Sequence, residues 1–275
     1  MNVRVAVLLT MVVGTGVWVR SLSQPTIATL YFPHGDHLFP VSRRLAAPGD
    51  VPRATLQALL DGPRTSSGLT SPFHGGVQIN AFAVSNGVAR LELSSGFNSG
   101  EDASAATAAI VETLTAVPGV RAVSLSVAGR PASEPSTRTP LLYYASMDGL
   151  TAVPTAAQTV RDAVAAYLSG PGDRALTGIP GDVQLLKYAF AEHEGVASLD
   201  FSYTQAVRTL AIEKPDIMRS VLLGLIASLT EYPEVKAVRI DFDGHSRLGF
   251  GECSDLLRTP QRRPRLLNDE RLLGR

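Results

Sequence analysis

The sequence has little of several things that would narrow its function. It contains one cysteine, Cys253, which excludes an internal disulfide framework and a zinc site with four cysteine ligands. Its 25 basic and 25 acidic residues cancel, so no net charge attracts the chain to nucleic acid or to an acidic surface. Stability must therefore come from packing. A length of 275 residues with 45% hydrophobic content is enough for two modest domains.

The sequence also lacks the common catalytic motifs. It contains no Gly-x-Ser-x-Gly elbow, no Ser-x-x-Lys pair, no P-loop and no Gly-x-Gly-x-x-Gly turn after a strand. We therefore expect a protein that is not an enzyme, without catalytic, cofactor-binding or metal-binding residues. A Ser-His-Asp arrangement needs only to converge in space, so an exported hydrolase stays open as an alternative. Cys253, which we expect to be exposed, is at best a weak nucleophile.

One short histidine motif, HGDH at 34–37, could hold a metal ion through His34, Asp36 and His37. A solvated turn after a strand is the simpler interpretation, because the corresponding segment of the second half, ASMD, has no histidine. Three further histidines lie near glycines in predicted loops, with no acidic partner at a fixed spacing: His74, His193 and His245. We expect no metal site.

The first 24 residues, MNVRVAVLLTMVVGTGVWVRSLSQ, have the pattern of an export signal. Arg4 and Arg20 flank an apolar run, Val5 to Val19, which predicts that the rest of the chain lies outside the cytoplasmic membrane. The best cleavage site is Ser21-Leu22-Ser23, and a core of fifteen residues is short for a hydrocarbon layer of about 30 Å. We favour an uncleaved anchor, and secretion after cleavage is the alternative.

The rest of the chain repeats itself. The strand pattern GVARLELS recurs 108 residues later as GVASLDFS, and the helix-ending LLDGP recurs at the same offset as YLSGP. Near the end of each repeat the offset grows to 115, which places an insertion around Gln205 to Pro215. A period of about 105 residues indicates a duplicated domain. The matched segments are 87–94 with 195–202, 59–63 with 167–171, and 118–130 with 233–245.

Each repeat reads as β-α-β-β-α-β. Asp50 and Pro52 predict the start of a first helix, and Gly62 and Gly170, each followed by proline, predict its end. The repeated strand and the last strand alternate apolar with polar residues, so one face of the sheet packs and the other is solvated. Two amphipathic helices per small sheet predict an α/β, or α+β, sandwich with both helices on one face.

These residues resemble the GerM domain, a family of sporulation and spore germination proteins. The resemblance rests on LYFP…LFPVSR, LL-x-GP, GVA-x-L-x-LS and PGV-x-x-V-x-L-x-V-x-G in the first repeat. The second repeat is looser and lacks the arginine equivalent to Arg43. The resemblance implies a non-catalytic, extracytoplasmic module that helps to assemble membrane complexes, with a fold similar to ring-building domains of secretion machinery. Members are usually lipid-anchored through a cysteine, which this chain lacks at its N-terminus.

We therefore divide the chain into an export segment (1–24), a first GerM-like domain (25–131), a linker (132–139), a second GerM-like domain (140–247) and a tail (248–275). The linker is rich in proline, serine and threonine and is expected to be extended and exposed. The tail is basic and is expected to be flexible. Its arginines include Arg258, Arg262, Arg263 and Arg265.

The leading hypothesis is a scaffold that binds protein partners in a membrane-associated complex, including copies of itself, through sheet edges or helix surfaces. The apolar helix at 216–230 either forms such a contact or packs a fuller core. The alternative is an exported protein that captures cell-wall fragments or a small solute in the cleft between the domains. Contact with the cell wall fits either hypothesis, and nucleic acid fits neither.

Overall fold

In a computed structural model, the protein is described over residues 26–46, 49–73, 76–98, 103–132, 134–246 and 250–273. The predicted export segment, 1–24, lies outside the described residues. Within these ranges, no helix combines the length and the apolar character needed to cross a membrane.

Two copies of one arrangement follow each other along the chain. Copy one consists of β1 (Thr26–His34), β2 (His37–Leu45), α1 (Val51–Leu60), β3 (Ile79–Ser85), β4 (Val88–Leu93), α2 (Ala103–Thr115) and β5 (Ala122–Val127). Two short strands connect the copies, β6 (Arg130–Pro131) and β7 (Ser136–Thr137). Copy two consists of β8 (Leu141–Ser146), β9 (Gly149–Pro154), α3 (Val160–Leu168), β10 (Leu185–Ala191), β11 (Val196–Phe201), α4 (Gln205–Glu213), α5 (Pro215–Leu229) and β12 (Ala237–Phe242). A short helix, α6 (Ser254–Arg258), comes after β12.

The mixed α+β class in two tandem domains is confirmed, with one more strand per copy than the pattern predicts. The additional strands are β2 and β9, and β2 is buried on both faces, so its sequence shows no alternation of apolar and polar residues. The insertion predicted around Gln205 to Pro215 forms α4, which starts where the Thr204 hydroxyl accepts a hydrogen bond from the Val207 N–H.

The predicted helix boundaries and turns follow from local chemistry. The Asp50 carboxylate accepts a hydrogen bond from the Arg53 N–H and so caps α1. Gly62 and Gly170, with φ of 81° and 84°, end α1 and α3 in the left-handed conformation that glycine adopts without strain. Asn86 and Gly87 both have positive φ, which is the geometry of a tight turn between β3 and β4.

The two strands that the sequence repeats, β4 and β11, are the centres of two small sheets. In each sheet the central strand pairs antiparallel with one neighbour (β3 or β10) and parallel with the other (β5 or β12). The alternating apolar side chains of these strands are buried in the core of their own copy, as predicted: Ala89, Leu91 and Leu93 in copy one, and Ala197, Leu199 and Phe201 in copy two.

The first strand of each copy does not join the small sheet of that copy. Instead, the hairpins β1–β2 and β8–β9 combine into one four-stranded sheet in the order β1-β2-β9-β8. Each hairpin turns one face to its own core, where Leu30 and Phe32 pack in copy one and Leu142 and Tyr144 in copy two. The opposite faces share a third core, to which the copies contribute Tyr31, Leu38, Leu141, Tyr143, Leu150 and Ala152. Side chains from both copies fill the region in which a ligand cleft was predicted.

The predicted flexible tail requires correction, and the linker is held more firmly than its composition suggests, although most of its described residues are exposed as predicted. Residues 266–273 run beside β2, where the Ser42 N–H donates to the Asn268 carbonyl at 2.7 Å, and Leu267, Asn268, Glu270 and Leu273 are buried. The linker is extended, but β7 pairs with β5 and the side chain of Arg138 is buried for three quarters of its surface. Both segments are held by partners in other parts of the chain, which their own composition does not reveal.

Helix α5, which covers most of the apolar segment 216–230, belongs to the core of copy two. Its buried side chains include Met218, Val221, Leu222, Leu225 and Leu229. The residues after β12 cover it further, because Phe250, Cys253, Leu256 and Leu257 are buried in the same core. Of the two interpretations of this helix, the fuller core is therefore the one that the structure supports.

The close packing of α5 against β8 generates a first prediction. A Cβ on Gly224 would lie 2.3 Å from the Tyr143 carbonyl oxygen, so the helix or the strand would have to move. We expect Gly224→Ala to destabilise the fold by about 1–3 kcal/mol, although alanine favours helix more than glycine does. Urea unfolding measures this change. Gly181→Ala, where a Cβ meets open space, is the control and should shift the unfolding free energy by less than about 0.5 kcal/mol. Equal shifts in both variants would contradict the predicted close contact.

Candidate functional site

A buried polar cluster lies where the two copies meet. The hydroxyls of Tyr31 in β1 and Tyr143 in β8 are 2.6 Å apart, and both rings are fully buried. These residues occupy equivalent positions in the repeat. The surroundings repeat as well, since the Tyr31 N–H donates to the Thr113 hydroxyl at 3.0 Å and the Tyr143 N–H donates to the Ser228 hydroxyl at 2.7 Å. The helices α2 and α5 thus satisfy backbone groups at the two outer edges of the shared sheet.

Two arginines from the connecting segments reach this cluster. Arg138 of the linker lies over the ring of Tyr31 at 5.7 Å, and Arg263 of the tail lies over the ring of Tyr143 at 5.4 Å. Both guanidinium groups bind the buried carboxylate of Glu231, at 2.8 Å and 2.5 Å respectively. The Tyr143 hydroxyl also donates to Glu231. Because an unpaired charge is costly away from water, these contacts fix both connecting segments.

Glu112 of α2 is the least well paired member of the cluster. One carboxylate oxygen, Oε1, accepts a hydrogen bond from the Thr139 N–H at 3.1 Å. The other, Oε2, lies 3.3 Å from Arg138 Nε. Within the described ranges, neither Glu112 Oε2 nor Arg138 Nε has a hydrogen-bond partner. Burial raises the pKa of Glu112 to about 7, against the opposing effect of Arg138. This carboxylate therefore changes charge near neutral pH.

The tail joins the two hairpins through Asn268. Its Nδ2 donates to the carbonyls of Pro40 in β2 and Leu150 in β9, at 2.6 Å and 2.8 Å, and its Oδ1 accepts from the Leu150 N–H at 2.8 Å. The direct pairing of β2 with β9 is limited to Leu38 with Ala152. One amide side chain therefore supplies hydrogen bonds that the strands do not give each other.

Arg43 of β2 forms an ion pair with Glu270 of the tail. Arg43 donates to the carbonyls of Ala58 and Gly62 at the end of α1, at 2.6 Å and 2.8 Å, where helical carbonyls lack partners of their own. Its Nε and Nη2 bind the carboxylate of Glu270, which is 1% exposed and also accepts from the Arg64 N–H. Arg43 therefore connects β2 and α1 of copy one to the tail of the chain.

The predicted histidine motif forms a turn. His34 ends β1 and His37 begins β2, with the turn at residues 35–36 between them. The His34 ring packs against Phe39 at 5.8 Å, and His37 Nε2 lies 3.1 Å from Asp173 Oδ2 of copy two. Among the residues that the structure describes, no group of three or more histidine, cysteine or acidic side chains is arranged to hold a metal ion. His37 is instead a contact between the copies.

The remaining histidines and the cysteine do not meet in one place. His193 lies in the turn between β10 and β11, and the His245 ring contacts the Asp243 carbonyl after β12. His74 lies outside the described residues. Cys253 is buried rather than exposed, and its thiol donates to the Pro215 carbonyl, so the prediction of an exposed thiol is wrong. The reason is that the segment after β12 packs onto α5.

One groove lined by polar atoms lies beside the cluster. It measures about 470 Å³ between α2 and the linker, and its walls include Ser104, Thr107, Glu112 and Ser136. No histidine or cysteine is among its lining residues, so the Ser-His-Asp arrangement left open by the sequence is not formed there.

Each copy also has an uncovered sheet edge. In the described part of the chain, no strand pairs with the outer edge of β3 or of β10. Val84 in β3 is 39% exposed, and Leu186 in β10 is 53% exposed. An edge strand of this kind offers a row of backbone N–H and C=O groups to another strand.

Comparison with known proteins decides the family. The model of the Germane family, described as sporulation and spore germination, matches residues 29–133 and again 141–247. The chain belongs to this family. The two matches to the Germane model correspond to the two copies of the fold. Among curated proteins, none matches this Germane chain.

A solved structure of two tandem domains agrees with the fold of this Germane family member. The tandem GerMN domains of the sporulation protein GerM from Bacillus subtilis align with 90% of this chain and 99% of their own length, with a TM-score of 0.69 and 20% identity. The first GerMN domain of the same protein aligns alone with 41% of this chain and 98% of its own length, with a TM-score of 0.33 and 20% identity. A putative lipoprotein from Clostridium perfringens aligns with 42% of this chain and 90% of its own length, with a TM-score of 0.30 and 19% identity. The tandem structure shows that the two-domain architecture, and not only one domain, is shared.

The raised pKa of Glu112 predicts how stability changes with pH in this Germane chain. Folding raises this pKa, so the contribution of the group to stability is fully present below its unfolded pKa and is lost as pH rises to about 7. We expect the free energy of unfolding to fall between pH 5 and pH 7.5 by about 2–3 kcal/mol more in the unmodified protein than in Glu112→Gln. Urea titrations at both pH values measure this difference. The same pH dependence in both proteins would contradict the prediction.

The contacts of Asn268 predict a second effect on stability. Asn268→Ala leaves the Pro40 carbonyl and both Leu150 backbone groups without their partner and should cost about 2–4 kcal/mol. Asn268→Asp keeps the shape but places a carboxylate against two carbonyl oxygens, so it should cost at least as much at pH 7. Thermal and urea unfolding measure both changes. Gln158→Ala, on an exposed loop, serves as the control and should be nearly neutral. If Asn268→Asp left the free energy of unfolding unchanged, the side-chain donors of Asn268 would contribute nothing to stability.

Proposed function

We propose that this protein is a non-catalytic, extracytoplasmic scaffold in endospore formation or germination. In this proposal, it assembles with protein partners of a membrane-associated complex through its tandem domains. Membership in a family described by sporulation and spore germination supports a role in one of these processes. The surfaces of the described residues support the mode of action.

The uncovered edges of β3 and β10 are the observation that carries the proposal. Natural edge strands are usually blocked by charge, by proline, by a β-bulge or by another element. Each of β3 and β10 has one register irregularity near its start, between Ile79 and Ala81 and between Leu185 and Lys187, and pairs regularly over the rest of its length. The sequence of β3, INAFAVS, contains no charged residue and no proline, and β10 contains a single charge at Lys187. Edges of this kind favour the addition of a strand from a partner, in which backbone hydrogen bonds give affinity and side chains give specificity.

The buried contact between the copies supports the same proposal. Two modules joined by a flexible linker would present their edges at variable distances. Here the Tyr31–Tyr143 pair, the ion pairs of Glu231 and the hydrogen bonds of Asn268 hold both modules in one arrangement. A fixed spacing suits a scaffold, because two partner strands bound at once add their free energies without a further ordering cost.

Attachment to the membrane is part of the proposal. The apolar run in residues 1–24 either anchors the protein to the outer side of the cytoplasmic membrane or is cleaved on export. In both cases the two modules act outside the cytoplasm.

Cross-linking in cells tests the proposal. Tagged full-length protein is cross-linked in growing and in sporulating cells, and its neighbours are identified by mass spectrometry. We expect links to membrane-complex proteins in sporulating cells only. Val84→Lys and Leu186→Lys, which place a charge on each edge, should remove most of these links, whereas Ile212→Lys, at an exposed apolar residue of α4, should keep them.

Two outcomes would overturn the proposal. The first is a protein that cross-links to nothing in either growth state. The second is a set of links that persists in the double edge variant while that variant folds normally.

A further inference from the structure

The chain returns to the outer edge of the small sheet by a longer route in copy two than in copy one. In copy one, Ser136 pairs with Val123 on the outer edge of β5. In copy two, Gln261 pairs with Val238, the equivalent residue of β12. The return takes 13 positions in copy one (123 to 136) and 23 positions in copy two (238 to 261). Copy two therefore has ten more residues at this point.

The additional residues of copy two cover one side of α5. Their apolar side chains, those of Phe250, Cys253, Leu256 and Leu257, are buried in the core of copy two. Asp255, in α6, binds Arg219 of α5 with two hydrogen bonds, at 3.0 Å and 3.3 Å. This segment, residues 250–258, is thus a short amphipathic piece of chain that packs against α5 of its own copy.

At the equivalent position copy one has the groove between α2 and the linker. The groove runs along α2, and its lining residues Ser104 and Ala108 are the counterparts of Arg219 and Leu223 in the repeat. Both are exposed, whereas Arg219 and Leu223 are partly covered. The opposite wall is the linker, through Ala132, Ser136, Thr137 and Thr139. The groove of copy one is therefore the open counterpart of a site that copy two fills with its own chain.

Glu112 gives this groove a chemical preference. The residue lines the groove, its side chain is 7% exposed, and its Oε2 has no hydrogen-bond partner among the described residues. Arg138 does not pair with Glu112 alone, because its guanidinium also binds Glu231 at 2.8 Å. Because Oε2 is buried, a positively charged donor of a partner reaches it by displacing Arg138 Nε, and it then completes the hydrogen bonding of this carboxylate and keeps it ionised.

We propose that the groove between α2 and the linker binds a short amphipathic helical segment of a partner protein. Its apolar side chains face α2, and a basic side chain near its C-terminal end reaches Glu112. The segment that fills the equivalent site in copy two has residues of these kinds, with apolar side chains at 256 and 257 and the exposed Arg258 in the last turn of α6, although the counterpart of Glu112, Ala227, is contacted there by Arg263. The inference rests on the proposed function in that it gives the scaffold a second contact surface, separate from the sheet edges.

Occupation of the groove affects the contact between the copies. A basic group at Glu112 competes with Arg138 for this carboxylate, and Arg138 also lies over Tyr31 and binds Glu231. Binding therefore changes the charge balance of the cluster that fixes the two modules.

A peptide of residues 250–261 with Cys253→Ser, labelled with fluorescein, is the probe. Its binding to the full-length chain is followed by fluorescence anisotropy. We expect saturable binding that Ala108→Arg, which fills the groove, weakens by at least about tenfold, and that the matched control Ala165→Arg, at an exposed alanine of α3 outside the groove, leaves unchanged. Unfolding midpoints confirm that both variants are folded.

A double-mutant cycle tests the role of Glu112. Peptide Arg258→Gln and protein Glu112→Gln should each weaken binding by about five- to tenfold, and the combination should weaken it no further than either change alone. Additive effects would show that these two groups do not meet and would overturn the assignment of Glu112.

Two other results would overturn the groove as the binding site. One is the lack of saturable binding. The other is binding that Ala108→Arg does not affect, as expected if the peptide displaces α6 from its own site in copy two. The outcome is separate from that of the scaffold proposal, because the cellular cross-links depend on Val84 and Leu186. Peptide binding without cellular cross-links would contradict the scaffold and leave the groove assigned.

Discussion

Two tyrosine hydroxyls at 2.6 Å, one from each copy, determine how the halves of this chain fit together. Hydroxyls and charges in a buried contact must find partners, because an unsatisfied group costs more free energy there than a satisfied one returns. Glu231 and the two arginines that bind it meet this requirement. The positions of the linker and of the tail are a consequence, since each segment contributes one of those arginines.

Much of the fold could be predicted from the sequence because the repeat and the alternation of residues are local signals. The pattern of Ala89, Leu91 and Leu93 identifies a strand with one buried face, and Gly62 before proline identifies the end of a helix. The duplication then transfers each assignment to the other copy. The strands β2 and β9 escaped prediction because both faces of β2 are buried and its proline interrupts the strand pattern.

The buried cluster and the packed tail could not be predicted in the same way. Glu112 and Glu231 look like surface residues of helix ends, and Arg263 lies in a stretch typical of a disordered tail. Their partners lie in other parts of the sequence, so no spacing reveals them. One signal was present, because Tyr31 and Tyr143 occupy equivalent positions of the repeat. A polar aromatic residue kept in the same place in two copies of a core strand indicates that its hydroxyl has a partner there.

The contact between Arg43 and Glu270 spans 227 positions of the chain. During synthesis, copy one emerges first. The contacts that Glu270 and Asn268 make with its strand β2 form only after the whole of copy two has been made. The first domain is thus the last to be completed. Contacts of such high sequence separation are slow to form, because the entropy cost of closing a long loop precedes the free energy that the contact returns. Folding of this protein is therefore finished by its carboxyl-terminal segment, because residues 250–258 complete the core of copy two and Leu273 completes the core of copy one.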